Sequence, residues 1–250
     1  MNIEIITVTH KIYRMPQDAM YLPVGVGKAL LPYSKDDSGE NISEKNSTFC
    51  ELTALYWAWK NTDFDYLGLA HYRRHFKGSV HKDKWDNILT KNQAIKILEN
   101  KDVILPKKRN YYIETTYNQY IHAHHKEDLD ETEKILKEFY PEYIKAYNEV
   151  MNSTKGHRFN MFIMKKELLD RYCTWLFDIL FKLESRLDIS GYSAYDSRVF
   201  GFVSERLLDV WIKTNNIDYA EVPVMYMEKQ NWWKKGTNFL KRKFIGKDKL

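Results

Sequence analysis

With 250 residues, 15% of them aromatic, the chain is long enough to bury the core of one large domain or two small ones. No apolar run reaches the roughly 18 residues that a membrane-spanning helix needs, and the N-terminus lacks the basic head and apolar middle of a signal peptide. Because Cys50 and Cys173 fit neither a zinc site nor a disulfide framework, we expect free thiols in a cytoplasmic protein.

The charge is distributed unevenly along the chain. Residues 229–250 contain eight basic residues and one aspartate, a net charge of +7. Because the whole chain carries +5, residues 1–228 carry −2. Trp232, Trp233 and Phe239 lie between these basic residues, a mixture that suits the surface of an anionic membrane. The alternative is a solvated terminus. We therefore divide the chain into a body, residues 1–228, and a basic aromatic tail, residues 229–250.

Strands alternate with helices along the body, which predicts an α/β domain with a mixed sheet flanked by helices. Hydrophobic periodicity and turn residues predict strands over 3–9, 66–70, 103–105, 158–164 and 219–224. The same signals predict helices over 47–60, 86–100, 113–125, 128–140, 142–151, 166–187 and 195–214. A loop with Met15-Pro16 and Leu22-Pro23 is predicted after the first strand, and residues 36–46 are predicted to form a polar, turn-rich loop.

The most informative stretch is residues 67–76, where a short apolar strand runs directly into two arginines and two histidines. In open α/β sheets, ligands collect at the carboxyl ends of strands. Arg73 and Arg74 at such an end could clamp a diphosphate by bidentate hydrogen bonding, which lysine does less well. The alternative is a solvated basic turn after an edge strand.

Two patterns suggest metal sites, and we favour other interpretations of both. Asp63 and Asp65 form an Asp-x-Asp pair, but they precede the strand at 66–70 and so lie at the wrong end of it for a ligand. A turn is the expected role, and Arg73 would replace a metal as the charge partner of a leaving diphosphate. The three histidines of residues 122–125 lack the i, i+4 spacing of helical metal ligands, which favours capping or substrate hydrogen bonding.

The predicted helix at 195–214 carries the candidate catalytic carboxylates. At 100° per residue, Tyr195, Arg198 and Glu205 share one face, and Asp196 lies nearly opposite Glu205. One straight helix therefore cannot bring both carboxylates to one reacting centre. Glu205 is the first candidate for a general base, with a structural pair to Arg198 as the alternative, and Asp196 is the second candidate. Asn160 is equally consistent with a satisfied core amide and with a ligand contact.

Several motifs occur together in a fixed order, at residues 8–11, 40–46, 49–60, 67–76 and 195–206. In these motifs the chain resembles a bacterial family catalogued as a domain of unknown function, DUF4422, whose members sit among capsule, exopolysaccharide and O-antigen genes. The resemblance covers nearly residues 1–233. It implies a glycosyltransferase with a single A-type, Rossmann-like nucleotide-sugar domain. Some relatives resemble galactofuranosyltransferases, which makes UDP-galactofuranose a plausible donor.

The resemblance also implies roles for particular residues. The donor would be bound by Thr9, His10, Asn41, Ser43, Glu44, Lys45, Asn46, Glu51, Tyr56, His71, Arg73 and Arg74. The acceptor side would be lined by Asn160, Tyr195 and Arg198. Glu205 or Asp196 would deprotonate an acceptor hydroxyl for in-line, inverting attack. No cofactor and no metal ligands are implied, and dependence on a divalent metal such as Mn²⁺ stays open.

The expected partners are a UDP-sugar donor, an oligosaccharide or undecaprenyl-linked acceptor, and an anionic membrane surface contacted by residues 229–250 at the inner face of the cell membrane. The main alternative is a non-catalytic scaffold in a polysaccharide assembly complex. A metal hydrolase built on the histidine cluster is a further alternative. The sequence pI of about 8.9 suggests a nucleic-acid-binding protein as another alternative. We expect no nucleic-acid partner, because the basic charge is confined to the tail and no aromatic–glycine recognition motif is present.

Overall fold

A nine-stranded mixed sheet forms the centre of the structure, a computed structural model that describes residues 1–228. The strands are β1 (Ile3–Thr9), β2 (Tyr21–Gly25), β3 (Ser34–Lys35), β4 (Tyr66–His71), β5 (Arg74–Phe76), β6 (Val103–Pro106), β9 (Phe162–Lys165), β10 (Ala220–Val222) and β11 (Val224–Tyr226), with β7 (Arg109–Asn110) and β8 (Lys155–Gly156) pairing separately. The membrane contact predicted for residues 229–250 lies outside the described residues.

The main sheet has the order β10-β6-β9-β4-β1-β2-β3. Strands β1, β2, β3 and β4 run parallel, β9 is antiparallel to both β4 and β6, and β10 is parallel to β6. Strands β1, β2, β4, β6 and β10 therefore end at one common edge, the carboxyl edge. A hairpin after β4 leads into β5, which pairs antiparallel with β11.

Helices cover both faces of this sheet. They are α1 (Asn46–Phe49), α2 (Leu52–Asn61), α3 (Lys91–Leu98), α4 (Thr116–Ile121), α5 (Lys126–Phe139), α6 (Ile144–Asn152), α7 (Lys166–Arg186) and α8 (Val199–Thr214). Ile6 and Val8 of β1 join the larger apolar cluster, with α2, α7 and α8, whereas Ile3 and Ile5 join a smaller one with α3. Strand β1 is thus buried on both faces, as its β-branched sequence requires. No helix within residues 1–228 has the length and apolarity to cross a membrane.

The predicted α/β class and mixed sheet are confirmed, and the differences have local causes. The loop predicted around Leu22-Pro23 contains strand β2 instead. Pro23 is tolerated in this strand because β3 pairs only with Val24 and Gly25, which leaves Pro23 outside that pairing. The helix predicted from residue 47 breaks at Cys50, which has a φ of 55°. The strand predicted at 158–164 starts only at Phe162, because the two residues at 159–160 form a left-handed turn.

The other differences concern the ends of elements. The helices predicted at 86–100 and 113–125 are shorter, at α3 and α4. The predicted helix at 195–214 begins with a 3₁₀ turn, Asp196–Arg198, before α8. The last predicted strand divides at Pro223 into β10 and β11, as a proline without an N–H favours.

Gly68, in the middle of β4, is a position where the fold tolerates no side chain. A Cβ there would lie 2.9 Å from Ile5 Cγ1, 3.0 Å from the Phe162 carbonyl oxygen and 3.1 Å from Ile163 Cγ1. Gly68→Ala is expected to lower the free energy of unfolding by about 1–3 kcal/mol, as overpacking does. Urea unfolding measures the change. Gly191→Ala is the matched control because a Cβ there meets no atom within 4 Å; equal stability of the two variants would contradict the prediction.

Candidate functional site

A cavity of about 560 Å³ opens at the carboxyl edge of the sheet. Its floor comes from the ends of β1 and β4, one wall from the junction of α1 and α2, and the other wall from the first turns of α8. These segments meet because parallel strands present their carboxyl ends at the same edge, where ligands of α/β proteins bind. The cavity is therefore the candidate site.

The structure brings most of the predicted site residues together in this cavity. Its lining includes seven residues of the predicted donor set, namely Thr9, His10, Asn46, Glu51, His71, Arg73 and Arg74. From the face predicted for helix 195–214 it includes Tyr195, Arg198 and Glu205. The basic motif after β4 thus faces a cavity, with Arg73 half exposed in the turn between β4 and β5.

Five other residues of the predicted donor set do not line the cavity. The Asn41 side chain accepts a hydrogen bond from the Ser43 backbone N–H at 3.2 Å and shapes a local turn. Lys45 Nζ donates to Glu184 Oε1 at 2.8 Å, and Glu44 is exposed. Tyr56 donates its hydroxyl to Glu40 at 2.8 Å and packs against the aromatic residues of α7. The loop at 41–45 thus supports the wall from behind.

Asp196, the second candidate base, also lies outside the cavity. Its side chain is buried and accepts a hydrogen bond from Ser193 Oγ at 2.8 Å. His124 Nδ1 donates to its other oxygen at 3.4 Å, and His124 itself does line the cavity. Asp196 therefore orients His124, and Glu205 is the candidate base that the cavity contains.

Asn160 is a satisfied core amide, which decides between the two interpretations of its sequence. The Asn160 amide nitrogen donates to Glu51 Oε1 at 2.8 Å and to the Gly201 carbonyl at 3.1 Å. Its amide oxygen accepts from Ser204 Oγ at 3.0 Å. Asn160 does not line the cavity, so the predicted acceptor contact is not present; instead it fixes Glu51.

The cavity is basic. Four arginines line it, Arg73, Arg74, Arg198 and Arg206, together with two carboxylates, Glu51 and Glu205. Arg206 donates to Glu205 Oε2 at 3.0 Å and to Gln119 Oε1 at 2.9 Å, and it is nearly buried. The structural pair of Glu205 is thus with Arg206, not with Arg198 as one interpretation of the sequence held. Arg198 instead donates to Cys50 Sγ at 3.1 Å.

Arg74 packs against an aromatic ring and, like Arg206, has a buried Nε without a hydrogen-bond partner within residues 1–228. Its guanidinium carbon lies 4.3 Å over the Phe159 ring. Burial, helped by the neighbouring charge of Arg73, lowers the pKa of Arg74. A buried guanidinium N–H without a partner is costly, and Arg74 also lines the cavity, where an anionic ligand can contact a guanidinium.

Burial shifts the pKa values of His71, His10 and Cys50 in the cavity toward their uncharged forms. Burial lowers the pKa of His71, and its Nε2–H donates to the Phe159 carbonyl at 2.6 Å, with Glu51 Oε1 at 4.0 Å. Burial, together with Arg73 and other cations, lowers the pKa of His10. Burial raises the pKa of Cys50 to about 12, so its thiol is protonated and not a nucleophile. The four lining arginines are therefore the main source of positive charge in the cavity.

Sequence reasoning missed several lining residues, including Cys50, Tyr111, Gln119, Phe202 and Arg206, whereas His124 belongs to the histidine cluster for which it favoured capping or substrate hydrogen bonding. Arg206 adjoins Glu205 in the motif at 195–206, and Phe202 lies on the predicted face of the helix; both signals were present in the sequence. Tyr111 and Gln119 are far from the other motifs along the chain, and no spacing marks them.

The Asp-x-Asp pair, Asp63 and Asp65, lies apart from the cavity. The Asn2 backbone N–H donates to Asp65 Oδ2 at 2.6 Å, and the Asn2 side chain donates to the Asp63 carbonyl at 2.8 Å. Both aspartates thus stand at the amino end of β4. Within residues 1–228, no group of three or more His, Cys, Asp or Glu side chains has an arrangement that would hold a metal ion.

Glu228, the last described residue, lies at the mouth of the cavity. Its carboxylate is 3.5 Å from Arg73 Nη1 and 3.6 Å from Lys11 Nζ. Glu228 therefore forms an ion pair with an arginine that an anionic ligand would contact. If the cavity binds UDP, as the family resemblance implies, Glu228→Gln is expected to tighten that binding several-fold, since exposed ion pairs contribute about 0.2–1 kcal/mol. Calorimetry with UDP measures this. Glu142→Gln, on an exposed turn, serves as the control, and weaker binding by Glu228→Gln would contradict the prediction.

Comparisons with known proteins agree with this architecture. The family model described as "Domain of unknown function (DUF4422)" matches residues 4–216. The apo structure of WbbM, a bifunctional glycosyltransferase, is similar with a TM-score of 0.82 and 31% sequence identity. The match covers 91% of this chain and 46% of that one, so the chain spans less than half the length of its structural relative. A search of curated proteins gave no match.

The similarity covers 91% of this chain, and it identifies the fold as GT-A-like. The matched residues 4–216 contain every lining residue of the cavity. The chain therefore belongs to the DUF4422 family.

Proposed function

We propose that this chain is a glycosyltransferase that moves a sugar from a nucleoside diphosphate sugar to a glycan hydroxyl. The observation that carries the proposal is the pair Arg73 and Arg74 at the end of β4, with the buried Nε of Arg74 unpartnered within residues 1–228. Two adjacent guanidinium groups match the two phosphates of a nucleoside diphosphate. The glycosyltransferase named in the structural comparison supports the same reaction class.

The proposed reaction uses two parts of the cavity. Glu205 would accept the proton of an acceptor hydroxyl while the hydroxyl oxygen attacks the anomeric carbon of the donor. The bond between that carbon and the diphosphate oxygen breaks, and the nucleoside diphosphate leaves with the bonding electrons. Arg73 and Arg74 would stabilise the charge that develops on the leaving group, which is often the largest catalytic contribution. Attack opposite the leaving group inverts the anomeric configuration.

The finer identity of the substrates rests on the family resemblance. We propose UDP as the nucleotide, galactofuranose as a candidate sugar, and an oligosaccharide or undecaprenyl-linked glycan of a capsule, exopolysaccharide or O-antigen as the acceptor. Tyr195, half exposed at the wall of the cavity, offers an aromatic face on which a sugar ring can stack. Arg198, held by Cys50, would contact the same substrate or the diphosphate.

No step of the proposed mechanism uses a metal ion. Within residues 1–228 no group of three or more His, Cys, Asp or Glu side chains is arranged to hold a metal ion, and the Asp-x-Asp pair lies at the opposite edge from the cavity. Arginine would then supply the positive charge at the diphosphate.

Calorimetry with UDP, in EDTA and in Mn²⁺, tests this proposal on the wild type and on Arg73→Ala. We expect UDP binding that persists in EDTA and is weakened at least tenfold in the variant, since a hydrogen bond to a charged group contributes about 1.5–3 kcal/mol. Binding only with Mn²⁺ would contradict the arginine site. Absence of UDP binding in both conditions would favour the non-catalytic scaffold.

A further inference from the structure

The rim of the cavity is built from three loops that follow strands at the carboxyl edge. Residues 10–20 follow β1, residues 26–33 follow β2, and residues 107–115 surround β7 after β6. Tyr33 ties the first two loops together, since its hydroxyl accepts from the Tyr13 N–H and donates to the Tyr13 carbonyl. The third loop reaches the cavity through Tyr111, which lines it. We call these three loops the rim.

The rim exposes large apolar side chains. Five of the eight exposed large apolar residues in 1–228 lie on it or directly beside it, namely Ile12, Leu30, Tyr112, Ile113 and Tyr195. Leu30 is 95% exposed and Tyr112 is 81% exposed, so neither contributes to the core. Tyr112 holds this position with a φ of 59°, a conformation that costs energy in a residue other than glycine. Apolar side chains gathered around one opening indicate contact with another apolar phase.

The charge of the rim is basic. The three loops contain six basic residues, Lys11, Arg14, Lys28, Lys107, Lys108 and Arg109, against the acids Asp18 and Glu114. Both acids are satisfied inside the protein: Asp18 accepts from the backbone of Met20 and Lys91, and Glu114 is buried against His122. The outward charge of the rim is therefore positive, although residues 1–228 as a whole are slightly acidic.

The described part of the chain also ends at the rim. Because β11 pairs antiparallel with β5, it runs in the direction of β4 and ends at the carboxyl edge. The Met227 N–H donates to the Arg73 carbonyl at 2.9 Å, and Glu228 contacts Arg73 and Lys11. Residues 229–250, with a net charge of +7 and several tryptophans and phenylalanines, therefore follow directly from this point of the surface.

We infer that the rim, together with residues 229–250, docks on an anionic lipid bilayer, with the cavity facing the membrane. Apolar side chains ringed by positive charge suit the boundary between lipid headgroups and acyl chains, and each basic residue near an anionic surface adds to binding. This orientation would bring a lipid-linked acceptor to the opening of the cavity. The inference goes beyond the proposed function and does not depend on it.

Flotation of the full chain with vesicles tests the inference. The vesicles contain equal parts of phosphatidylcholine and phosphatidylglycerol, and vesicles of phosphatidylcholine alone give the reference. We expect stronger partitioning into the anionic vesicles, reduced by high salt. The double variant Ile12→Ser with Leu30→Ser is expected to partition about tenfold less, because two apolar side chains no longer enter the interface. Neither residue lines the cavity, so UDP binding by this variant is expected to match the wild type.

A matched control uses exposed apolar residues away from the rim. Val80 follows the end of β5 that points away from the carboxyl edge, and Phe139 ends α5. Val80→Ser with Phe139→Ser is expected to partition as the wild type does. Replacing Lys241, Arg242 and Lys243 by glutamine is expected to weaken partitioning about a hundredfold at low salt.

Three results would overturn the inference. These are absence of vesicle binding by the wild type, equal partitioning of the rim variant and the wild type, or a loss in the Val80 and Phe139 control that matches the loss in the rim variant. Failure of UDP binding with vesicle binding intact would instead remove the proposed function and leave the membrane-docking rim in place.

Discussion

Glu205→Gln is expected to lower the kcat of sugar transfer by about a hundredfold to ten-thousandfold, the usual contribution of a general base. Glutamine keeps the oxygen that accepts the hydrogen bond from Arg206, so the fold and UDP binding should be preserved. Transfer kinetics and UDP calorimetry on the same preparation separate the loss of proton transfer from a loss of binding.

Asp196→Asn is the matched control for Glu205. Its carboxylate lies outside the cavity, against His124, so we expect kcat to fall by less than tenfold. A fully active Glu205→Gln enzyme would contradict the assignment. Glu51 would then be the base to test, because it is the other carboxylate that lines the cavity within residues 1–228.

Arg74→Ala is expected to weaken UDP binding about tenfold to a hundredfold, because hydrogen bonds to charged groups contribute about 1.5–3 kcal/mol. Arg74→Lys keeps the charge but loses the planar fork, so its affinity should fall between those of the wild type and the alanine variant. Isothermal titration with UDP measures both.

Arg171→Ala is the control for the loss of one positive charge. Arg171 lies on α7 and donates to Asn215 at 2.9 Å, away from the cavity. We expect it to bind UDP as the wild type does. If Arg74→Ala binds UDP with wild-type affinity, or if Arg171→Ala loses as much affinity for UDP, then Arg74 does not bind the diphosphate.

The sequence predicted the site best where local pattern and sheet geometry act together. Residues 67–76 combine an apolar strand with arginines, and the parallel arrangement of β1 and β4 places Arg73 beside His10 without any further information. The helical face that carries Glu205 is likewise a local property. The 3₁₀ turn at the start of the predicted helix does not change the face at Glu205, because the α-helix begins at Val199 and includes Glu205.

What could not be predicted depends on contacts between distant segments. Asn160 reads as a strand residue because its neighbours are apolar, yet its φ is 54° and its amide bridges Glu51 and Gly201. Asp196 stands at the start of a helix, and only the position of His124 shows that it faces away from the cavity. Neither partner is near these residues in sequence.

The turn at Phe159 and Asn160 has a consequence for the interpretation of variants. The Phe159 carbonyl receives the hydrogen bond of His71, and the Asn160 amide donates to Glu51, so two adjacent left-handed residues set the positions of an imidazole and a carboxylate at once. A substitution at Asn160 would move both groups without touching any substrate. A loss of activity in an Asn160 variant would therefore reflect displaced His71 and Glu51 side chains. Asn160→Gly separates the backbone effect from the lost amide, because glycine adopts a positive φ freely and removes only the side-chain amide.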